Sequence, residues 1–317
     1  MKPPSFTAIN YSLRPSKTIQ RGLVFDGLRR LQDKLQWRNA AYIGFGSIWF
    51  TDFILAHKIL GIKRMVSIEQ NLIGFRRARF NRPYRFVEVK RGTSDVVLPS
   101  LLGQARFVNT PTLLWLDYDC EVKESIVEEL RAVVAEAKDD SVILVTVDTS
   151  EKRYGANPRQ ILERLAELFG SRSTRHLTRS DVAGLQLSTT IGELLLTLLD
   201  NASRRASKPN PSIRAFHLPY QDKASMVTIG SVFPHEALTK EIRQSMLRRD
   251  WPGFVTEPIV APHLTSKEVA VLQAAVPGRG NLTRSDVREL GFDLEEEQLR
   301  AFEEHYRHYP TFAQILS

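Results

Sequence analysis

The stretch Ala40-Ala41-Tyr42-Ile43-Gly44-Phe45-Gly46-Ser47-Ile48-Trp49-Phe50-Thr51-Asp52 sets a short apolar run, a glycine turn and a helix start in immediate succession. Met65-Val66-Ser67-Ile68-Glu69 follows as a second apolar run ending in a carboxylate. Few folds accept that order. It reads as strand, turn, helix, strand, the unit that places a nucleoside-bearing cofactor at the C-terminal ends of adjacent strands. Gly44 and Gly46 let the backbone bend and approach a ligand that a Cβ would hold off. A helix from Thr51 aims its free N–H groups into the same crevice. Glu69 is placed to accept hydrogen bonds from two ribose hydroxyls. A dinucleotide fingerprint needs a third glycine three residues after Gly46, and Trp49 stands there. A nicotinamide or flavin is therefore disfavoured.

The same alternation continues. Residues 86–89 read as a third strand, leading through Gly92 to the polar turn Thr93-Ser94-Asp95 and an apolar helix start. Leu113-Leu114-Trp115-Leu116-Asp117-Tyr118-Asp119 is a fourth strand with carboxylates at its end, and residues 141–148 are a fifth, closing on Asp148. Ile126, Leu130, Val133 and Val134 give the helix between them its buried side. Strands over 213–220 and 224–233 are joined at Gln221-Asp222-Lys223, so short a joint that the pair must be antiparallel. Together these predict an α/β fold, doubly wound, with a mostly parallel seven-stranded sheet and a terminal antiparallel hairpin.

In this order the segments of residues 40–233 resemble the core of class I, Rossmann-like methyltransferases. Ile9-Asn10-Tyr11-Ser12-Leu13-Arg14-Pro15-Ser16-Lys17, Tyr42-Ile43-Gly44-Phe45-Gly46-Ser47, Phe80-Asn81-Arg82-Pro83-Tyr84 and Leu116-Asp117-Tyr118-Asp119 are similar to a bacterial group labelled O-methyltransferase. The resemblance implies S-adenosylmethionine as cofactor and methyl transfer to an oxygen of an acceptor that the sequence does not identify. It implies that Gly44, Gly46, Ser47, Glu69, Gln70, Thr93, Ser94 and Asp117 bind the cofactor, and that Asp117 or Asp119 orients or deprotonates the acceptor.

The chain departs from the pattern in places. Tyr42 replaces the acid that closes the first strand in the family, leaving Asp52 or Lys17 to handle the methionine end. Asp117, Asp119 and Asp148 resemble the metal-holding acids of metal-dependent O-methyltransferases, but Thr149 stands where that group has Asn. A divalent metal is not expected. Asp117-Tyr118-Asp119-Cys120 keeps only the first residue of the turn used by base-amino methyltransferases, which disfavours that chemistry. An RNA or DNA methyltransferase and a catalytically silent binding module stay open as alternatives.

Composition excludes other classes. A lone cysteine, Cys120, rules out an internal disulfide and a cysteine-rich zinc site, and its neighbouring acids work against a nucleophilic thiol. No apolar run reaches membrane-spanning length and the start Met1-Lys2-Pro3-Pro4-Ser5 has no apolar signal core, so a cytoplasmic location is expected. The net charge of +8 leaves room for an anionic partner. Arg76, Arg77, Arg79, Arg82, Arg85, Lys90 and Arg91, interleaved with Phe75, Phe80 and Tyr84, read either as a grip on nucleic acid or as solvated arginines over inward-facing rings. A homo-oligomer also stays open.

Three segments surround the core. Residues 1–39 are a lead and a covering helix, which starts at Arg14-Pro15-Ser16-Lys17 and carries Ile19, Leu23, Leu28, Leu31 and Leu35 as far as Trp37. That helix reads either as packing with a solvated basic face or as closing the cofactor mouth. Residues 150–179 are an insertion with a helical stripe at Ile161, Leu165 and Leu168, followed by an apolar helix over 185–199 and a loop over 203–211. Residues 234–317 are a helical C-terminal appendage, with a Thr265-x-x-Glu268 capping box and further helix starts near Thr283 and Leu294.

Overall fold

The computed structural model describes residues 14–310 apart from 36, 207, 209, 210, 277, 279 and 280. Residues 1–13, and with them the first part of the Ile9–Lys17 motif, lie outside the described residues. Seven strands form one sheet: β1 (Ala41–Gly44), β2 (Arg64–Glu69), β3 (Val87–Arg91), β4 (Thr112–Asp117), β5 (Ser141–Asp148), β6 (Ile213–Gln221) and β7 (Ser225–Phe233). Their order is β3-β2-β1-β4-β5-β7-β6. Strands β1 to β5 pair in parallel, and β7 runs antiparallel to both β5 and β6. This is the sheet the alternation predicts. The strand order reverses between β1 and β4, which makes that pair the switch point of the sheet.

Helix α1 (Pro15–Gln32) precedes the sheet. Helices α2 (Thr51–Leu60), α3 (Leu72–Asn81), α4 (Ser94–Leu102), α5 (Ala105–Val108) and α6 (Glu124–Glu136) link the parallel strands, and α7 (Pro158–Phe169), α8 (Ser171–Thr174) and α9 (Gln186–Arg205) lie between β5 and β6. Every residue of β5 is buried, as a strand covered on both faces requires. Leu113 and Trp115 of β4 join the cluster under α1 and α2, while Leu114 and Leu116 join the one under α4, α6 and α9. The period-two pattern of one strand thus feeds two cores.

Two boundaries differ from the sequence reading. Helix α1 stops at Gln32, and Trp37 sits in a separate turn where its indole N–H donates to the Asp140 carbonyl at 2.7 Å. Helix α9 continues through Arg205, where a loop was expected from Ser203. Ser203 is fully buried and Arg204 pairs one turn back with Asp200, so the helix runs on.

Past β7 the chain forms α10 (Thr239–Met246), α11 (Ser266–Ala275), α12 (Arg284–Glu289) and α13 (Glu296–His305). The capping box at Thr265 and Glu268 forms, and Thr283 makes a second with Asp286. Helix α10 has no counterpart in the sequence reading, because Ile242 and Met246 alone make too faint a stripe. The chain then lies along the outer edge of β6. The His217 N–H donates to the Gly253 carbonyl at 2.7 Å, and the Gln221 N–H to the Ile259 carbonyl at 2.9 Å. The otherwise open edge is thereby paired. Leu272, Val287, Leu299 and Phe302 complete this end of the same core as α1.

Burial in this layer makes stability depend on pH. His305 is 5% exposed, and burial, helped by the nearby His308, pushes its imidazole down to about 4. A depressed folded-state pKa means that the unfolded chain binds the proton first. Stability is then complete above about 6.5 and falls by up to about 3 kcal/mol as pH drops to about 4. Urea unfolding across that window should show the fall, and His305→Leu should flatten it.

Candidate active site

The C-terminal tips of four parallel strands lie along one edge of the sheet, on either side of the switch point between β1 and β4. From β1 come Gly44, Gly46 and Ser47, from β2 Glu69 and Gln70, from the turn after β3 Thr93 and Ser94, and from β4 Asp117 and Asp119. Phe45 and Tyr118, from the loops after β1 and β4, meet edge to face with ring centres 5.3 Å apart. The two loops on either side of the switch point are therefore in contact.

The glycine loop is tight for a different reason from the one the sequence suggests. A Cβ on Gly44 would lie 2.8 Å from the Trp115 carbonyl, and one on Gly46 would lie 2.6 Å from Ser67 Oγ and 2.7 Å from the Phe50 ring. Both glycines are required by neighbouring protein atoms. The bend itself is carried by Ser47 and Phe50, which adopt left-handed φ values of 45° and 52°. Ser67 in β2 ties the loop down by accepting the Gly46 N–H at 3.1 Å.

Tyr42, where the resemblance led one to look for an acid, is 1% exposed and packs edge to face on Phe53, which packs likewise on Phe50. Burial, with the charges of Asp52 and Asp117, pushes its phenol well up. It is a core ring that seats the base of α2.

The charges of this region come from α1. Lys17 Nζ donates to both carboxylate oxygens of Asp117, at 3.0 and 2.9 Å, and lies 5.7 Å from the Trp115 ring centre and 5.4 Å from that of Tyr220. Arg21 pairs with Asp52. Lys17 and Arg21 are 4% and 5% exposed, so these two cations of α1 point into the protein, whereas Arg29 and Arg30 near its end stay exposed. Burial pulls the Lys17 ammonium down, but Asp117, Tyr220 and Asp52 outweigh it and the net shift is upward. Asp222, in the hairpin between β6 and β7, accepts the N–H groups of Ser16 and Lys17 at 3.1 Å. An acid from the far end of the core thus caps α1, whose own flanking residue Arg14 provides no side-chain cap.

Glu69 is half-buried and accepts the Asn71 N–H at 2.8 Å. Burial pushes its carboxyl up, against the lowering effect of the Asn71 N–H, and the charge of Asp119 adds to the rise. Asp119 is exposed, on a rigid tip. The Tyr118 N–H donates to the Thr146 carbonyl and the Asp148 N–H to the Cys120 carbonyl, which carries the pairing of β4 and β5 past Asp117. Asp148 is committed elsewhere, to the Ser150 N–H at 2.8 Å and the Arg153 guanidinium at 3.3 Å. Burial pushes the Cys120 thiol up, against the needs of a nucleophile. Among the described residues no three His, Cys, Asp or Glu side chains converge as a metal site, and no helix is long and apolar enough to cross a membrane.

A family model described as "Putative O-methyltransferase" matches residues 9–317. The chain belongs to that family. It is a methyltransferase by family, and its sheet is the mostly parallel seven-stranded one with a terminal antiparallel hairpin that the resemblance implies. No curated protein matches the sequence. Solved structures that match include cofactor-bound Rv0187 from MTB, at 18% identity over 74% of this chain and 84% of that one, with a TM-score of 0.36. The O-methyltransferase TomG from Streptomyces achromogenes, in complex with SAM, matches at 13% over 72% and 91%, with a TM-score of 0.38. MtNAS matches at 13% identity over 68% of this chain with a TM-score of 0.33, and the chain spans 61% of its length.

Proposed function

We propose that the chain binds S-adenosylmethionine across the tips of β1, β2 and β4 and transfers its methyl group to an oxygen of the acceptor. The observation that carries this reading is the meeting of the glycine loop, Glu69 and the β4 carboxylates at the switch point of the sheet. The donor set suits the cofactor. A half-buried carboxylate at a strand tip fits a pair of ribose hydroxyls, and Thr93 and Ser94 open α4 where the adenine would lie. Gly44, Gly46, Ser47 and Gln70 line the remainder, with Asp117 at the reacting end. When bound, S-adenosylmethionine supplies an electrophilic methyl group on a sulfonium.

The chain's own residues supply alignment and a base. Lys17 fixes Asp117 so that it can orient the acceptor hydroxyl. Asp119, exposed on the same tip, would take the proton of the acceptor hydroxyl. Tyr42 leaves the methionine end without its usual acid, and the charges that act on Tyr42 are those of Asp52, Asp117 and Arg21.

Calorimetry tests this directly. S-adenosylmethionine and S-adenosylhomocysteine should both bind with micromolar dissociation constants. The lock of Lys17 on Asp117 favours one other reading, a binding module that has kept the fold. Binding of neither ligand would select that module and overturn the enzyme.

A further inference from the structure

Helix α3 begins three residues after Glu69 and buries fully only Gly74 and Ala78. At 100° per residue its outer face carries Leu72, Arg76 and Phe80 in one stripe, with Ile73 and Arg79 on either side. Ile73 is 65% exposed and Phe80 is 88% exposed, values that a packed helix does not leave on apolar side chains without cause. The loop that follows adds Arg82 and Arg85, both exposed. Among the described residues Arg76, Arg79, Arg82 and Arg85 form no ion pair. The nearby acid Glu88 is already held by Arg106 and Lys90. Tyr84 stacks on Phe86 at 5.0 Å and both pack against His57, while Phe75 is half-buried under the Arg79 guanidinium, 5.7 Å from its ring centre, which leaves Phe80 as the outward ring of the run.

The arrangement of these groups selects the partner. A helix that lies in a membrane surface separates its cations from its apolar side chains. Here they share one face. Four exposed cations without ion pairs, on the same helix face and following loop as the exposed Phe80 ring, fit a strand that offers phosphates and flat base faces together. We propose that the outer face of α3 and the loop after it bind single-stranded nucleic acid. Asn71 caps α3 through the Gly74 N–H and donates its own N–H to Glu69, so the face starts at the mouth of the crevice. The proposal does not depend on the methyl-transfer reading.

Fluorescence anisotropy with labelled single-stranded U20 RNA and T20 DNA, from 50 to 200 mM salt, tests it on the full chain. Four phosphate contacts predict a log–log salt slope of about −3, or about 50-fold weaker binding across that range. Arg76→Ala with Arg79→Ala should halve the slope. Phe80→Ala should weaken binding about 5- to 100-fold at fixed salt and leave the slope unchanged. All three positions are exposed, so melting temperatures should match the parent. No binding of either oligonucleotide, binding untouched by all these substitutions, or Phe80-dependent binding of phosphatidylserine vesicles in place of the oligonucleotides would overturn it. A preference between the RNA and the DNA would show whether the sugar is read as well.

Discussion

Asp117→Ala is expected to destabilise the folded chain by about 3–5 kcal/mol, more than Lys17→Met does. The asymmetry follows from burial. The Lys17 side chain is 5% exposed and that of Asp117 25%. Removing the acid strands an ammonium in the protein, beside Trp115 and Tyr220, with Arg21 adding a like charge. Removing the lysine leaves a carboxylate that water can still reach, at a cost nearer ~1–3 kcal/mol. The double variant should recover most of the loss, because no buried charge is then unpaired. Urea unfolding of the four proteins measures the cycle. Equal costs for the two single variants would show that Lys17 is solvated. The same comparison protects the functional assignment, since loss of activity in Asp117→Ala is informative only at temperatures where that variant remains folded.

The strand tips were legible because their signals are local. Alternation, glycine spacing and a carboxylate after an apolar run lie within a few residues of one another, and Gly44, Gly46, Glu69 and Asp117 all stand at the tips of β1, β2 and β4 in the structure. What was not legible is what holds them. Lys17 meets Asp117 across 100 positions, and Asp222 caps α1 across 205. A lysine in the first turn of a helix reads as solvated, and only the fold of the distant hairpin buries it. Tyr42 is similar. As a replaced acid it looks like a defect, whereas its contact with Phe53 makes it part of the floor under α2. At the two glycines a Cβ would also meet Ser67, Phe50 and Trp115, none of which any motif names.

Glu69→Ala is expected to weaken binding of S-adenosylhomocysteine by about 100-fold, since two hydrogen bonds to a carboxylate are each worth about 1.5–3 kcal/mol before the cost of drying the site. Glu69→Gln separates ligand binding from local structure. The amide keeps an acceptor for the Asn71 N–H, so α3 stays anchored, yet it can satisfy only one ribose hydroxyl. A loss of about 10-fold is expected for it. The pH dependence gives an independent sign. Burial and the charge of Asp119 push the Glu69 carboxyl up, so protonation begins at a higher pH than for an ordinary glutamate. The protonated acid cannot accept from both hydroxyls. Affinity should therefore rise with pH through that raised pKa and level off above it, and Glu69→Gln should abolish the rise. Parent-like affinity in Glu69→Ala would remove the sugar from the tip of β2, and with it the placement of the whole cofactor.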